Sequence, residues 1–61
     1  MKAIAKTNFR TAEGFRIIKG DEVVILRAIS PSENVKIFEI IHDNGAFKTT
    51  EGLTNKFFQF I

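Results

Sequence analysis

Apolar residues occur along this chain in short runs separated by turn-forming residues. The densest stretch is GFRIIKGDEVVILRAI, residues 14–29, in which Lys19-Gly20-Asp21 divides two apolar runs. The run from Val23 to Leu26 holds four apolar residues, three of them β-branched, which is too short for a helix without a polar face and favours a buried strand. We therefore predict a central strand over residues 21–29, entered through a turn at Gly20.

Both faces of this central strand are apolar through its middle. If the residues alternate regularly, one face carries Val23, Ile25, Arg27 and Ile29, and the other carries Val24, Leu26 and Ala28. Such a strand is either covered on both sides, or its outer face is a contact surface.

Turn signals separate the remaining runs. The segment 30–34 contains Pro31 among turn formers and predicts a break, because proline does not fit inside a paired strand. Asp43-Asn44-Gly45 predicts a hairpin turn. Residues 7–15 have no regular period and predict a long loop or irregular hairpin, and residues 51–56 predict a turn with at most one turn of helix. Four further strands are predicted at residues 2–6, 35–42, 46–50 and 57–61.

Five short strands of this kind predict an all-β fold, a small five-stranded antiparallel barrel that forms a single domain over residues 1–61. The last strand is apolar up to the final residue, so we expect it to pair with an edge strand of the sheet. No apolar run approaches the length of a membrane span, and no signal-peptide pattern opens the chain. We expect a soluble, cytoplasmic protein that does not bind membranes and stands alone as a small protein.

Composition argues against catalysis and against metal or cofactor binding. The chain has no Cys and a single His, so neither a thiolate zinc site nor a multi-histidine site can form. No serine and acid are placed to join His42 in a triad, and we predict that His42 is a surface residue. Asp21 and Glu22 are adjacent in an extended segment and point to opposite faces. We therefore predict a protein that is not an enzyme, with no catalytic residues, no metal and no cofactor.

Charge is distributed unevenly along the chain. Residues 1–20 hold five bases against Glu13 alone, a net charge of +4, whereas residues 21–61 hold four bases against six acids, a net charge of −2. A basic segment of this kind suits an acidic partner. The alternative is a solvated strand face and loop without a ligand.

The basic segment supplies the first candidate contact residues. Phe9, Arg10, Arg16 and Lys19 are predicted to bind an acidic surface of a partner protein, and Ile37 and Ile41 are predicted to make an apolar contact. Nucleic acid is the alternative ligand for residues 8–19, where bases alternate with aromatic rings. The small net charge of +2 favours the protein partner. Weak homo-oligomerisation is a further alternative, because the chain has more apolar positions than one small core needs.

The order of these features resembles a Src-homology-3-like small barrel. The segments that carry the resemblance are Ala3-Ile4-Ala5, the stretch from Phe15 to Leu26, Ile37-Phe38-Glu39, and Gly52 to Phe57. That family binds proline-rich peptides on a shelf of Tyr and Trp rings. The corresponding positions here hold Ala5, Thr7 and Ile37, so the resemblance implies the fold without the proline-rich ligand. Lone barrels of this kind also resemble accessory proteins of phages and mobile elements, which implies a similar accessory role.

Overall fold

Seven strands and one short helix make up the chain in the computed structural model, which describes residues 1–61. In chain order they are β1 (Lys2–Ala5), β2 (Phe9–Arg10), β3 (Arg16–Ile17), β4 (Glu22–Ser32), β5 (Val35–His42), β6 (Gly45–Thr50), α1 (Glu51–Phe57) and β7 (Phe58–Phe60). Five strands form one antiparallel sheet in the order β6-β5-β4-β1-β7, and β2 and β3 form a separate two-stranded ribbon. The predicted antiparallel β fold is confirmed.

The two edges of the five-stranded sheet approach each other without pairing. Phe47 of β6 and Phe58 of β7 have ring centroids 6.3 Å apart, although these strands lie at opposite ends of the strand order. The sheet therefore curls around its core, but no ladder joins β6 to β7. The closed barrel that the sequence predicts is not found, and both edge strands keep a side without a strand neighbour.

A bulge in β4 changes which of its side chains face the core. Ile25 lies opposite Ile40 and Arg27 lies opposite Glu39, so Leu26 has no partner on β5. An extra residue of this kind reverses the alternation of faces beyond it, and the prediction of two regular faces is wrong from Arg27 onward. On the outer face lie Val24, Leu26, Arg27 and Ile29, and on the inner face lie Val23, Ile25 and Ala28.

Pro31 lies inside β4 rather than in a break between strands. The strand continues to Ser32, with a register shift between Ile29 and Ser32, and the turn to β5 is formed by residues 33–34 alone. β1 pairs only with the first residues of β4, Glu22 to Val24, so no strand lies on the other side of Pro31. The ring can be accommodated there because an edge position does not require its missing N–H.

The core consists of eight buried apolar residues contributed by every strand of the sheet and by β3. They are Ala3, Ala5, Ile17, Val23, Ile25, Ile40, Phe47 and Phe58. Four more phenylalanines pack against this cluster from its rim: Phe9, Phe15, Phe38 and Phe57. Phenylalanine thus supplies packing in this chain, and only Phe60 lies outside the group.

The helix α1 closes one end of the sheet between β6 and β7. Its N-cap Thr50 accepts a hydrogen bond from the Leu53 N–H at 3.3 Å, and the buried Thr54 hydroxyl donates to the Thr50 carbonyl at 2.8 Å. The helix runs to Phe57, slightly further than the single turn predicted for residues 51–56. It is the one helix of the chain, and neither its length nor its composition would allow it to cross a lipid bilayer. As predicted, the final strand β7 pairs with another strand, which is β1.

Candidate functional site

The ribbon of β2 and β3 presents two arginines side by side to solvent. Its register places Phe9 opposite Ile17 and Arg10 opposite Arg16. Ile17 is fully buried, and Phe9 is half-buried with its ring stacked on Phe57 at 4.3 Å between centroids. Because successive strand residues point to opposite faces, Arg10 and Arg16 share the face turned away from the core. Both are exposed.

Hydrogen bonds fix both ends of this ribbon. At its tip, the Thr11 N–H donates to the Phe15 carbonyl at 2.9 Å, and Gly14 adopts the left-handed conformation that glycine favours, with φ at +101°. At its base, the Lys19 N–H donates to Asn8 Oδ1 at 2.7 Å, and the Gly20 N–H donates to the Ala5 carbonyl at 2.9 Å. The arginines therefore project from a hairpin whose two ends are fixed by hydrogen bonds. A hairpin here agrees with the irregular hairpin predicted for this part of the chain.

Behind the ribbon, His42 connects the Asp21 turn with the hairpin between β5 and β6. The Asn44 N–H donates to His42 Nδ1 at 3.1 Å, so the neutral ring carries its proton on Nε2. Nε2 lies 2.9 Å from Asp21 Oδ2, close enough to donate to it. The prediction that His42 is a surface residue is wrong, because only 6% of its side chain is exposed. Burial is compatible with its polarity because both ring nitrogens have partners.

The same contacts support the ribbon from the core side. The Phe15 ring stacks on the His42 ring at 6.2 Å between centroids, and the Asn44 side-chain amide donates to the Arg16 carbonyl at 3.2 Å. Asp21 accepts the Ile18 N–H at 3.0 Å. This backbone hydrogen bond, followed by the bond to His42, lowers the pKa of the Asp21 carboxyl from its usual value. The carboxylate form thus holds together the turn that precedes β4.

Ion pairing divides the nine basic side chains into two groups. Lys2, Arg27, Lys36 and Lys48 each lie near a glutamate, at 3.5, 3.0, 3.5 and 3.9 Å. The other five make no ion pair, and we call them the basic end: Lys6, Arg10, Arg16, Lys19 and Lys56. Every paired base belongs to the five-stranded sheet, whereas every unpaired one belongs to the ribbon or to the segments beside it.

The members of the basic end come from three parts of the chain that meet at the ribbon. Lys6 follows β1, and its ammonium group donates to the Asn55 carbonyl at 2.8 Å, directly before Lys56. Phe57 follows Lys56 and stacks on Phe9, which directly precedes Arg10. The only acid between residues 6 and 20 is Glu13, which makes no ion pair. The result is a surface of cations with little compensating charge.

The residues predicted to bind a partner fall on two separate surfaces. Arg10, Arg16 and Lys19 are exposed on or beside the ribbon. Phe9 faces the core, where it positions the ribbon, and its part in binding stays a prediction. Sequence reasoning missed Lys6 and Lys56, which are fifty positions apart and adjoin only because the chain's last strand pairs with its first.

Ile37 and Ile41 lie on the outer face of the five-stranded sheet, with Glu39 between them. Ile41 is 41% exposed, pairs with Val24 and Ala46, and adjoins Leu26, which is 60% exposed. The Arg27 guanidinium bonds to Glu39 and lowers the pKa of that carboxyl. The outer face therefore carries an apolar patch beside the ion pairs that Glu39 makes with Arg27 and Lys48. It differs in this respect from the basic end, whose cations make no ion pair.

Comparison with protein families, with curated proteins and with solved structures finds no match to this chain.

Proposed function

We propose that this protein is a non-enzymatic interaction module that binds an acidic surface of a partner protein through the basic end. The observation that carries the proposal is the division of the bases: four lie beside a glutamate on the sheet, Lys48 only loosely at 3.9 Å, and five are left unpaired around the ribbon. Directly opposed like charges destabilise a ribbon, so the Arg10 and Arg16 pair gains from an anionic ligand that lies across both.

We propose that the fold that supports this module is Src-homology-3-like in its order of elements, as an open, curled sheet rather than a closed barrel. The sheet order β6-β5-β4-β1-β7, the long hairpin before β4 and the short helix before β7 support that part of the proposal. A proline-rich ligand needs a shelf of aromatic rings. The two positions that would carry such rings hold a buried Ala5 and a half-buried Ile37 instead, which supports the absence of that ligand. The accessory role in a phage or mobile element remains an analogy.

A second contact belongs to the apolar patch of the outer face. Val24, Leu26 and Ile41 are all exposed and adjacent, and a partner that covered them would gain apolar burial. We propose this patch as a supporting contact, because it lies beside charges that are already paired within the sheet.

Nucleic acid is the second candidate ligand. The Arg10 and Arg16 side chains favour it, since two exposed cations on opposed strand positions can contact phosphates. The packing of the phenylalanine rings argues against it. Phe9, Phe15 and Phe57 are turned into the core rim, so they are poorly placed for the base stacking that usually accompanies binding of single strands.

Binding of labelled poly-L-glutamate and of labelled DNA and RNA, measured by fluorescence anisotropy, tests the proposal. We expect binding to polyglutamate at low salt, weakening between about 50 and 200 mM salt, and loss of that binding in Arg10→Ala/Arg16→Ala. Preferential binding of DNA or RNA would replace the protein partner with the second candidate. Binding to none of these polymers at low salt would contradict both functions.

A further inference from the structure

A narrow groove separates the open edges of two strands. Its volume is about 260 Å³. One wall is formed by residues 9–12, from β2 and the turn that follows, and the other by residues 47–50 of β6. Leu53 and Phe57 of α1 close one end. Small-molecule sites occupy about 300–1,000 Å³, so this groove is smaller than is usual for them, whereas a slot bounded by strands suits an extended chain.

The backbone of β6 has hydrogen-bonding groups free along its open edge, at Lys48 within this groove and at Ala46 just beyond its end. β6 pairs only with β5, and β2 pairs only with β3. The two-residue turn at residues 43–44 makes His42 and Gly45 a hydrogen-bonded pair, so by alternation Phe47 and Thr49 also bond to β5. Ala46 and Lys48 then direct their N–H and C=O groups away from β5. None of the eight backbone hydrogen bonds outside the helix and ladders involves either residue.

The side chains around the groove define the chemistry of a ligand. Arg10 and Lys48 are the charged residues that line it, and both are cations. The acid Glu13 lies outside the groove, in the neighbouring pocket that borders Ala46 and Lys48. Arg10 has no ion-pair partner, and the Lys48 ammonium lies 3.9 Å from Glu39, a loose contact. Leu53 is 43% exposed and offers an apolar contact at the closed end. A ligand that is extended, acidic and partly apolar is complementary to all of these features.

We propose that an acidic, extended segment of the partner protein adds as a strand to the open edge of β6, with its carboxylates near Arg10 and Lys48. This inference rests on the proposed function, because Arg10 belongs to the basic end, and it adds how the ligand is bound. Main-chain hydrogen bonds to Ala46 and Lys48 supply affinity, and the two cations select an acidic sequence. The same edge without a ligand is protected from aggregation by Lys48, which is the ordinary role of lysine at a sheet edge.

Amide hydrogen exchange of the intact protein with an alternating Glu-Val peptide tests this geometry directly. In the free protein we expect the Ala46 and Lys48 amides to exchange rapidly, and those of Phe47 and Thr49 to be protected by their bonds to β5. We expect saturating peptide to slow exchange at Ala46 and Lys48 by about tenfold or more, with little change at Phe47 and Thr49. An alternating Lys-Val peptide, which has the same β propensity and opposite charge, is the control and should give no protection.

Two variants at one position separate the backbone contact from the charge. Both Lys48→Pro and Lys48→Ala remove the lysine charge. Only Lys48→Pro also removes the outward N–H, and it does so without removing a ladder bond to β5. We expect Lys48→Pro to bind the Glu-Val peptide about fivefold more weakly than Lys48→Ala, which corresponds to one hydrogen bond. Because the proline variant could fail to fold, the exchange measurement on the unmodified chain is decisive by itself.

The outcomes distinguish this inference from the proposed function. Peptide binding without slowed exchange at Ala46 and Lys48 would overturn strand addition and leave the basic end as the binding surface. Equal protection by the Lys-Val peptide would overturn the selection for acidic segments. Slowed exchange at these amides caused by DNA or RNA, and not by the Glu-Val peptide, would overturn the inference. The inference would also be overturned if the protein bound polyglutamate but did not bind the Glu-Val peptide.

Discussion

The register of the ribbon places Arg10 directly opposite Arg16, which opposes stability and, in the proposed function, favours an anionic ligand. They are directly opposite on a two-residue ribbon, and their neighbours Phe9 and Ile17 take the core-facing positions. Shifting the register by one residue would expose Ile17 and bury a charge, so the core contacts fix the arginine pair. The repulsion between the arginines is therefore tolerated because the other face of the ribbon is buried.

Replacing one arginine should separate these two effects. Arg16→Thr removes the like-charge contact, and threonine suits a strand, so we expect the free energy of unfolding to stay equal or rise by no more than roughly 1 kcal/mol. Binding to polyglutamate should weaken in the same variant. Urea unfolding and anisotropy measure the two quantities. A marked loss of stability would show that Arg16 serves the fold rather than a ligand.

Asp21 makes the base of the ribbon sensitive to acid. Its pKa is lowered in the folded state by the Ile18 N–H and by His42. A carboxyl with a lowered pKa stabilises the fold fully above its unfolded value, about 3.9 for Asp, and that contribution is lost as the pH falls through the folded value. We expect the melting temperature to fall as the pH drops below about 4.

Asp21→Asn is the matched variant for this acid sensitivity. At pH 6 its melting temperature should be lower than that of the unmodified protein. The difference between the two melting temperatures should narrow as the pH falls through the lowered pKa of Asp21. Glu39 also has a lowered pKa, because of Arg27, so some acid sensitivity remains in the variant. A constant difference from pH 6 to the acid limit would contradict the role given to the Asp21 carboxylate.

At the scale of elements, two glycines with different backbone conformations should respond oppositely to substitution by alanine. Gly20 has φ at +94°, where a side chain is strained, and we expect Gly20→Ala to destabilise by about 1 kcal/mol or more. Gly52 lies in α1 with open space around its Cα, so Gly52→Ala should stabilise by up to about 1 kcal/mol. Urea unfolding of both variants checks the signs, and a stabilising Gly20→Ala would contradict the turn geometry.

The strands could be predicted from sequence where apolar runs and turn residues agree. The strand of residues 35–42 is observed with the predicted bounds, and the long irregular hairpin before the central strand is also found. The break predicted at residues 30–34 is reduced to the turn at residues 33–34, because whether a strand tolerates Pro31 depends on whether another strand lies beside it. The bulge at Leu26 likewise depends on the register with β5, which the apolar pattern of β4 alone does not contain.

The candidate site was predictable only in part for the same reason. The bases of residues 8–19 adjoin in sequence, so their excess of charge could be seen there. Lys6 and Lys56 join them through the pairing of β7 with β1, and His42 is buried by contacts with Asp21 and Asn44. These are long-range or turn-specific contacts, and local composition does not encode them.

At the scale of the whole molecule, the chain is as compact as its length allows. Its radius of gyration is 10.8 Å, close to the roughly 10.5 Å expected for a folded chain of this length. Only eight apolar residues are buried, and a domain of this size has a total stability of about 3–9 kcal/mol. Each core residue therefore carries a large share of the stability.

Two phenylalanines on the same strand test this dependence on a small core. Phe58 is 2% exposed and Phe60 is 38% exposed, both on β7. Phe58→Ala should cost about 3–5 kcal/mol, enough to unfold a large part of the population at room temperature, whereas Phe60→Ala should leave the protein folded. Circular dichroism with urea titration measures both. Similar, small losses in the two variants would contradict the packing described for β7.

The central claim is that the position of the unpaired cations, rather than net charge, creates the binding surface. Arg10→Glu/Arg16→Glu and Lys2→Glu/Lys36→Glu each lower the formal net charge by four, from +2 to −2. The first pair alters the basic end and the second alters bases already paired on the sheet. The decisive measurement is the affinity of both folded variants for polyglutamate at low salt. We predict a loss of about tenfold or more for the first and a much smaller loss for the second, and equal losses in both would contradict the account.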